Sequence, residues 1–545
     1  MTRTFIFFTI LFIFSSCFSD NADYKKAERS ITTGDLAGYV AELGSDNFMG
    51  RKPFTEGEKI TVDYLAAQLE KIGFEPAFNG SYIQKVPMVE ISTSVDEMII
   101  TKNPKTFFSF KTPDDVAIVS PLETKNVFVS NMPLVFAGFG IVAPEYSWDD
   151  YSDLDVKGKI VVVMINDPGL YTGDSTLFRG REMTYYGRWT YKYEEAARQG
   201  ATGVMIIHET EGAGYEYTIP RKSSISPKLY MRDYSKNYPV CSFTGWFSSE
   251  SADSLFESCG LDTDSLRLEA CKKGFKGFPL NMNGSVSCQN VIRYDESSNV
   301  AGILKGSEKP DEGIIYTAHW DHFGIGEKEN GDSIYNGAID NGTSMAWELA
   351  IGKAFASLKN RPRRSVLLLF PTAEEQGLVG SLYYTEHPVI TMDKTVACLN
   401  NDLMLPIGKM KDVMITGYGQ SELDVYAARA ARSQDRYITG DPNPQTGMYF
   451  RSDHFAFAAK GVPSLFARGS IESRKFGKEW AAGKERDFIR NIYHRPADNY
   501  DPEKWDLEGI AEDAVFAFTI GYELITTDHF PAWNSGSEFK QTRKR

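Results

Sequence analysis

The chain has 545 residues, 42% of them hydrophobic and 13% aromatic, with a formal net charge of −14 and a pI of about 5.2. That length exceeds one ordinary core and implies two or three domains, while the apolar and aromatic content excludes a disordered chain. The acidic balance argues against nucleic acid as a partner: the one basic cluster, Lys540 to Arg545, reads as a solvated tail.

The N-terminus reads as an export signal over residues 1–17. Arg3 supplies a positive start, Phe5 to Phe14 is almost continuously apolar, and Ser15-Ser16-Cys17 follows. The apolar run is too short for a stable membrane-spanning helix. Phe-Ser-Ser-Cys resembles a bacterial lipobox, which makes Cys17 the lipidation candidate and residues 18–30 a tether; ordinary signal cleavage beside a coincidental cysteine is the alternative. The expected location is the cell envelope, periplasmic or surface-exposed, with a lipid at Cys17 as the only membrane contact, and otherwise secretion. None of the other five cysteines has a zinc-ribbon spacing, and Cys241, Cys259, Cys271 and Cys288 are free to form disulfides in an oxidising compartment. Cys398 lies in an apolar run and reads as buried.

Helices are expected at Thr33 to Leu43 and Glu56 to Ile72, the second ending at Gly73. Short β segments follow at Tyr82 to Val89 and Asp96 to Thr101. From about Asn126 the pattern changes to strand-like runs, 133–142 and 156–164, then a helix at Tyr191 to Gln199 and a strand at 203–207. Residues 215–238 are rich in Tyr, Ser and Pro with little periodicity. A second α/β pattern begins near Val291, with strands at 300–304, 313–318, 365–370 and 395–399. Helices alternate with them at 344–357, 378–384, 422–431 and 507–524. Such alternation predicts a mostly parallel or mixed sheet with helices on both faces, and ligands gather beyond the C-terminal strand ends of such sheets.

Candidate chemistry sits at those ends. The strand ending at Ala318 delivers His319-Trp320-Asp321, an imidazole with a carboxylate two positions on that can orient it. Gly337-Ala-Ile-Asp340-Asn341 leads into a helix; alone, it reads equally as a helix cap. After the most apolar strand come Glu374-Glu375, where a metal could take one carboxylate and leave the other as general base. Taken alone, a solvated helix start explains that pair as well. Asp402 ends a further strand, and His494 lies in a turn late in the chain. Two histidines and three carboxylates, one of them shared, make two mixed N/O sites suited to catalytic zinc.

The set His319-x-Asp321, Gly337-Ala-x-Asp340-Asn-x-x-Ser344, Glu374-Glu375, Asp402 and Tyr493-His494 resembles the co-catalytic zinc peptidases typified by bacterial leucyl aminopeptidases, aminopeptidase Y and glutamate carboxypeptidase II. Gly50-Arg51 resembles that family's opening segment. Ala137-Gly-Phe-Gly-Ile and Val156-Lys-Gly-Lys-Ile-Val resemble a protease-associated (PA) domain. The resemblance implies a three-layer α/β/α zinc exopeptidase domain with a mixed central sheet, interrupted by a β-rich PA-like domain. It divides the chain into an N-terminal part of the peptidase domain (31–125), the insert (126–284), the main peptidase domain (285–530) and a tail (531–545).

It also implies two zinc ions per chain and peptide substrates. One zinc would bind His319, Asp402 and bridging Asp340; the other would bind Glu375, His494 and Asp340. Glu374 would be the general base, Asp321 would orient His319, and Tyr493 would donate to the oxyanion. The Asp340–Asn341 bond is a candidate cis peptide, as in relatives. Arg451, in Arg451-Ser-Asp-His454, is the candidate substrate contact, with Arg468 as another arginine able to meet a substrate carboxylate. His322 is expected to face away from the site, and His208, His387 and His529 to be surface or structural groups. An aminopeptidase is the leading reading. The alternatives are a carboxypeptidase of the glutamate type, a glutaminyl cyclase, or a receptor-like protein without catalysis.

Overall fold

A computed structural model describes residues 22–103, 106–540 and 542. The expected signal segment, with Cys17, lies outside the described residues. From Ala22 the expected tether is instead a docked helix, Ala22–Glu28. Tyr24 and Ala27, three apart and therefore on one face, are both buried. The Tyr24 hydroxyl pairs with Thr519 Oγ1 at 2.7 Å and its ring stacks on Phe518.

The catalytic-lobe sheet is mixed. Its order is Phe278–Leu304 (by its last residues), Arg364–Phe370, Lys309–Thr317, Thr395–Asn400, Ser464–Arg468, Asp412–Thr416 and Tyr437–Gly440. The four strands from Arg364–Phe370 to Ser464–Arg468 run parallel, so their C-terminal ends share one edge of the sheet. Their central stretches, 314–316, 366–370, 396–399 and 465–467, are apolar and buried because both faces are covered. Val366, Leu368 and Phe370 join one core with Tyr316 and helices Ser344–Ala356 and Glu508–Thr526. Leu367 and Leu369 point the other way, to Tyr384, Phe457 and Cys398. Each fully buried Leu or Val there contributes about 1.5–3 kcal/mol.

The insert has its own cores. One gathers Met98, Ile100, Phe110, Val116 and Ile118 with residues up to Cys288. The boundary expected at 126 therefore lies near residue 95: the strands Glu97–Asn103, Thr106–Lys111 and Val116–Val119 pack inside the insert. Its sheet centres on four parallel strands, Asn126–Phe136, Ile160–Met164, Gly203–Ile207 and Phe243–Phe247. Residues 137–142, expected as strand, turn through the positive-φ glycines Gly138 and Gly140. The quiet stretch 215–238 contains a helix, Thr218–Ser224, and a strand, Lys228–Met231. One 27-residue strand, Phe278–Leu304, joins the lobes, pairing with Asn126–Phe136 at its start and Arg364–Phe370 at its end.

The 531–540 segment lies against the body. Trp533 and Phe539 are buried, and the Trp533 indole N–H donates to Gly461 O at 2.9 Å. The five described cysteines are free thiols, with Cys398 fully buried.

Candidate metal centre

The parallel strand ends converge on a pocket of buried carboxylates and imidazoles. His319 follows Lys309–Thr317, Glu374 and Glu375 follow Arg364–Phe370, and Asp402 follows Thr395–Asn400. Asp340 enters from a wide π-helical turn, Ala338–Thr343, that feeds helix Ser344–Ala356. The Asp340–Asn341 peptide is cis. Only glycine fits at Gly337, which has φ +56°; a Cβ there would meet Asp340 O at 2.2 Å and the His322 ring at 2.7 Å.

Asp340 sits between two histidines. Its Oδ1 lies 3.4 Å from His319 Nε2 and its Oδ2 lies 3.2 Å from His494 Nε2. His319 Nε2 is also 3.5 Å from Asp402 Oδ1 and 3.9 Å from Glu374 Oε2, and His494 Nε2 is 3.2 Å from Glu375 Oε2. The structure thus gathers His319, Asp340, Glu374, Glu375, Asp402 and His494 into two clusters that share Asp340.

Asp321 holds the scaffold. Its Oδ1 accepts the Glu374 amide at 2.9 Å, while His319 Nδ1 is 3.1 Å from Asp321 O and 3.7 Å from its carboxylate. Tyr493 stacks on His494 with ring centres 3.7 Å apart. Burial, and then the charges of Asp340 and Glu375, hold its phenol well above the usual range, so its O–H stays a donor.

His322 does not face away. Its Nδ1 is 2.8 Å from Glu375 Oε1, because the chain after Asp321 turns back, with the His322 amide donating to Arg51 O. His322 thus meets one oxygen of Glu375 and leaves the other toward His494.

Two residues carry roles that the motif reading did not assign. Arg51 is fully buried and donates to the carbonyls of Trp320, Leu43, Asn336, Gly337 and Asp340, tying the His319 and Asp340 loops together. Asp498 accepts the amides of Ile339 and Asp340 at 2.9 and 3.0 Å. The signals in sequence were a glycine–arginine pair in a loop and an Asp four residues after His494, neither of which announces a partner more than a hundred residues away.

The electrostatics are those of a cation site. Burial works against charge on Asp340, yet hydrogen bonding from His319 and His494 holds its carboxyl well below the usual range. Burial opposes protonation of His494, but the charge of Glu375 and contacts to Asp340 push it up to about 10. Burial pushes Glu374 well above the ordinary carboxylate range. His319 Nε2, His494 Nε2 and Asp402 Oδ1 are buried without a hydrogen-bond partner while facing other ligand atoms. The atoms of His319, Glu374 and Asp402 lie within 4.8 Å of one another, as do those of His322, Asp340 and Glu375. Orphaned N and O donors that converge in this way fit zinc.

Arg451 is placed differently. Its Nη2 donates to Thr446 O at 2.6 Å and Ala213 O at 3.4 Å, facing the insert. Arg468 ends the fourth parallel strand, with buried Nε and Nη1 lacking partners. His454 is fully buried behind the site, its Nδ1 3.4 Å from Asn400 Nδ2.

A doubly covered α/β sheet with acid–imidazole clusters at its parallel strand ends defines a candidate metal-dependent catalytic domain. Residues 299–519 match the model of Peptidase family M28. Aminopeptidase NAALADL1 of Mus musculus is 34% identical over 131 residues, 23% of this chain and 16% of the relative. A vacuolar membrane protease of Schizosaccharomyces japonicus is 27% identical over 218 residues, 38% of this chain and 21% of the relative. The chain therefore spans about a fifth or less of the length of these curated relatives. Among solved structures, an aminopeptidase from Aneurinibacillus sp. strain AM-1 aligns over 93% of this chain and 97% of its own, with 17% identity and a TM-score of 0.49.

Proposed function

We propose that the chain is a two-zinc exopeptidase, an aminopeptidase that releases N-terminal residues from peptides. The observation that carries this is Asp340, whose two carboxylate oxygens face two different histidines at 3.4 and 3.2 Å. In this reading His319, Asp402 and Asp340 hold one zinc, and Glu375, His494 and Asp340 hold the other. The zinc pair supplies Lewis-acid polarisation of the scissile carbonyl and acidifies water. Glu374 takes the proton of the attacking water on its carboxylate and delivers it to the leaving amine. Asp321 keeps that carboxylate in place through the Glu374 amide. Tyr493 donates its O–H to the oxyanion as the carbonyl becomes tetrahedral. His322 positions Glu375 through its Nδ1.

The insert, read as a PA-like domain, serves as a wall that shapes the substrate cleft. The expected lipid at Cys17 keeps the enzyme in the cell envelope, where peptides arrive from outside. The relative named as a vacuolar membrane protease supports a membrane-associated setting outside the cytosol.

Glu374→Gln is the test. Turnover of free-amine peptides is expected to fall about a hundred- to ten-thousand-fold with zinc content unchanged. Loss of zinc in that variant contradicts the role of base. Equal cleavage of free-amine and N-blocked peptides by the wild type contradicts the aminopeptidase assignment.

A further inference from the structure

The chain enters the fold at one edge of the catalytic sheet, and the metal centre lies at the other. Helix Ala22–Glu28 begins beside the loop that follows Ser344–Ala356: the carboxylate oxygens of Asp23 accept the Lys359 amide at 3.0 and 3.2 Å. That loop leads into Arg364–Phe370, whose far end delivers Glu374 and Glu375. Ser344–Ala356 covers the same distance in the opposite sense, from the Asp340 turn to Lys359. A helix of 13 residues rises about 20 Å, so Asp23 and Asp340 stand at opposite edges. Helix Thr33–Leu43 also starts at the Asp23 edge, because Asp35 pairs with Lys353 at 2.7 Å in the last turn of Ser344–Ala356. Residues 23–35 are therefore held at this edge from both ends. The insert stands beyond the metal edge. Val300 of the long strand pairs with Phe370 at that edge and Leu304 with Val366 nearer Asp23, so the residues before Val300 run away from Asp23 into the insert.

Cys17, the expected lipid attachment point, precedes Asp23 by six residues. Six residues reach about 20 Å even when fully extended. A lipid at Cys17 keeps Asp23 within that distance of the bilayer surface. Turning the metal centre to the bilayer would lift Asp23 by the height of the sheet and of the insert beyond it, which exceeds that reach. The charge of the Asp23 edge favours the same pose. Among the described residues, Lys26, Arg29 and Lys359 are exposed and have no carboxylate within 4.0 Å, on a chain of net charge −14. Their neighbours are already paired: Lys25 with Glu28, Lys353 with Asp35, Arg361 with Glu75 and Arg363 with Glu308. Anionic headgroups attract unpaired lysine and arginine and repel an acidic remainder.

We propose that this edge of the catalytic lobe rests on an anionic lipid surface, with Lys26, Arg29 and Lys359 against the headgroups and the metal centre and insert turned away from the bilayer. The inference rests on the expected lipid at Cys17 and goes beyond the peptidase reading. Substrates then reach the cleft from the aqueous side, and peptide segments lying in the bilayer are out of its reach.

Lysine footprinting tests the pose on the full mature chain. The lipoprotein in vesicles of phosphatidylcholine and phosphatidylglycerol, and the Cys17→Ser chain free in solution, are acetylated briefly, and mass spectrometry reads each lysine. Lys26 and Lys359 are expected to react about fivefold or more slowly on the vesicles. Lys328, exposed on the hairpin that Arg495 ties to the His494 turn, and Lys273, exposed on the insert, are expected to react equally in both. Slowing at Lys328 or Lys273 instead, or equal rates at all four in both samples, overturns the proposal and leaves the peptidase reading standing. Vesicles of phosphatidylcholine alone are expected to give back part of the reactivity of Lys26 and Lys359; identical footprints on the two vesicles overturn the headgroup contact. An intact mass without a lipid at Cys17 overturns the anchor and this pose together, again without touching the peptidase reading.

Discussion

His454 shows how a histidine in a suggestive motif can be kept out of the chemistry. It is fully buried against Tyr449 and Phe466, and burial pushes its imidazole down to about 3. In the unfolded chain a histidine titrates near 6.5. The folded state therefore refuses a proton that the unfolded state accepts. The stability that His454 contributes is present above about pH 6.5 and is lost as pH falls toward 3. His454→Gln is expected to flatten the acid limb of the stability profile by up to about 1.4 kcal/mol per pH unit. Parallel urea titrations between pH 4 and 7 check this; identical slopes would show that the imidazole does not stay neutral. His322 is the opposite case. Its neighbour His319 points inward, and alternation along an extended strand would send an odd-numbered offset outward. The chain is no longer extended at that point, so a periodicity argument cannot place the ring.

At the scale of elements, the strand ends were legible because each is a short apolar run closed by polar residues. Arg364–Phe370 followed by Glu374 and Glu375 is the clearest instance. What could not be read were contacts set by docking. Arg51 and Asp498 each act on loops more than a hundred residues away, and nothing in their local sequence names those loops. The helix Ala22–Glu28 is polar enough to pass for a tether, yet Tyr24 and Ala27 are buried against the body and Asp23 accepts the Lys359 amide. The same holds for 531–540. Trp533 packs against Phe539 at 5.1 Å and joins Met183 of the insert with Tyr449, Phe450 and Phe455 of the catalytic lobe in one apolar cluster. Trp533→Ala is expected to cost about 3–5 kcal/mol, read by denaturant unfolding, with the midpoint shifted down. A shift under about 1 kcal/mol would mean that the segment adds little to the seam.

Across the whole molecule, the insert and the catalytic lobe are continuous in hydrogen bonding through Phe278–Leu304, and they are clasped a second time where residues 444–451 meet 166, 183 and 213. A module joined to the lobe that carries the site both through this strand and across several loop contacts is well placed to shape what reaches it. The α/β class was visible in the alternation of runs, whereas the insert boundary near residue 95 was not. The strands Glu97–Asn103 and Thr106–Lys111 carry no mark of which core they join, since β segments on either side of a domain boundary look alike.

The proposed sharing of Asp340 by two metal ions is measured most directly by metal stoichiometry. Zinc-equilibrated and then dialysed protein, weighed by native mass spectrometry, is expected to carry two zinc ions per chain, and Asp340→Asn to lose both together. A wild-type chain that retains one zinc or none, or an Asp340→Asn variant that still binds two, would contradict it.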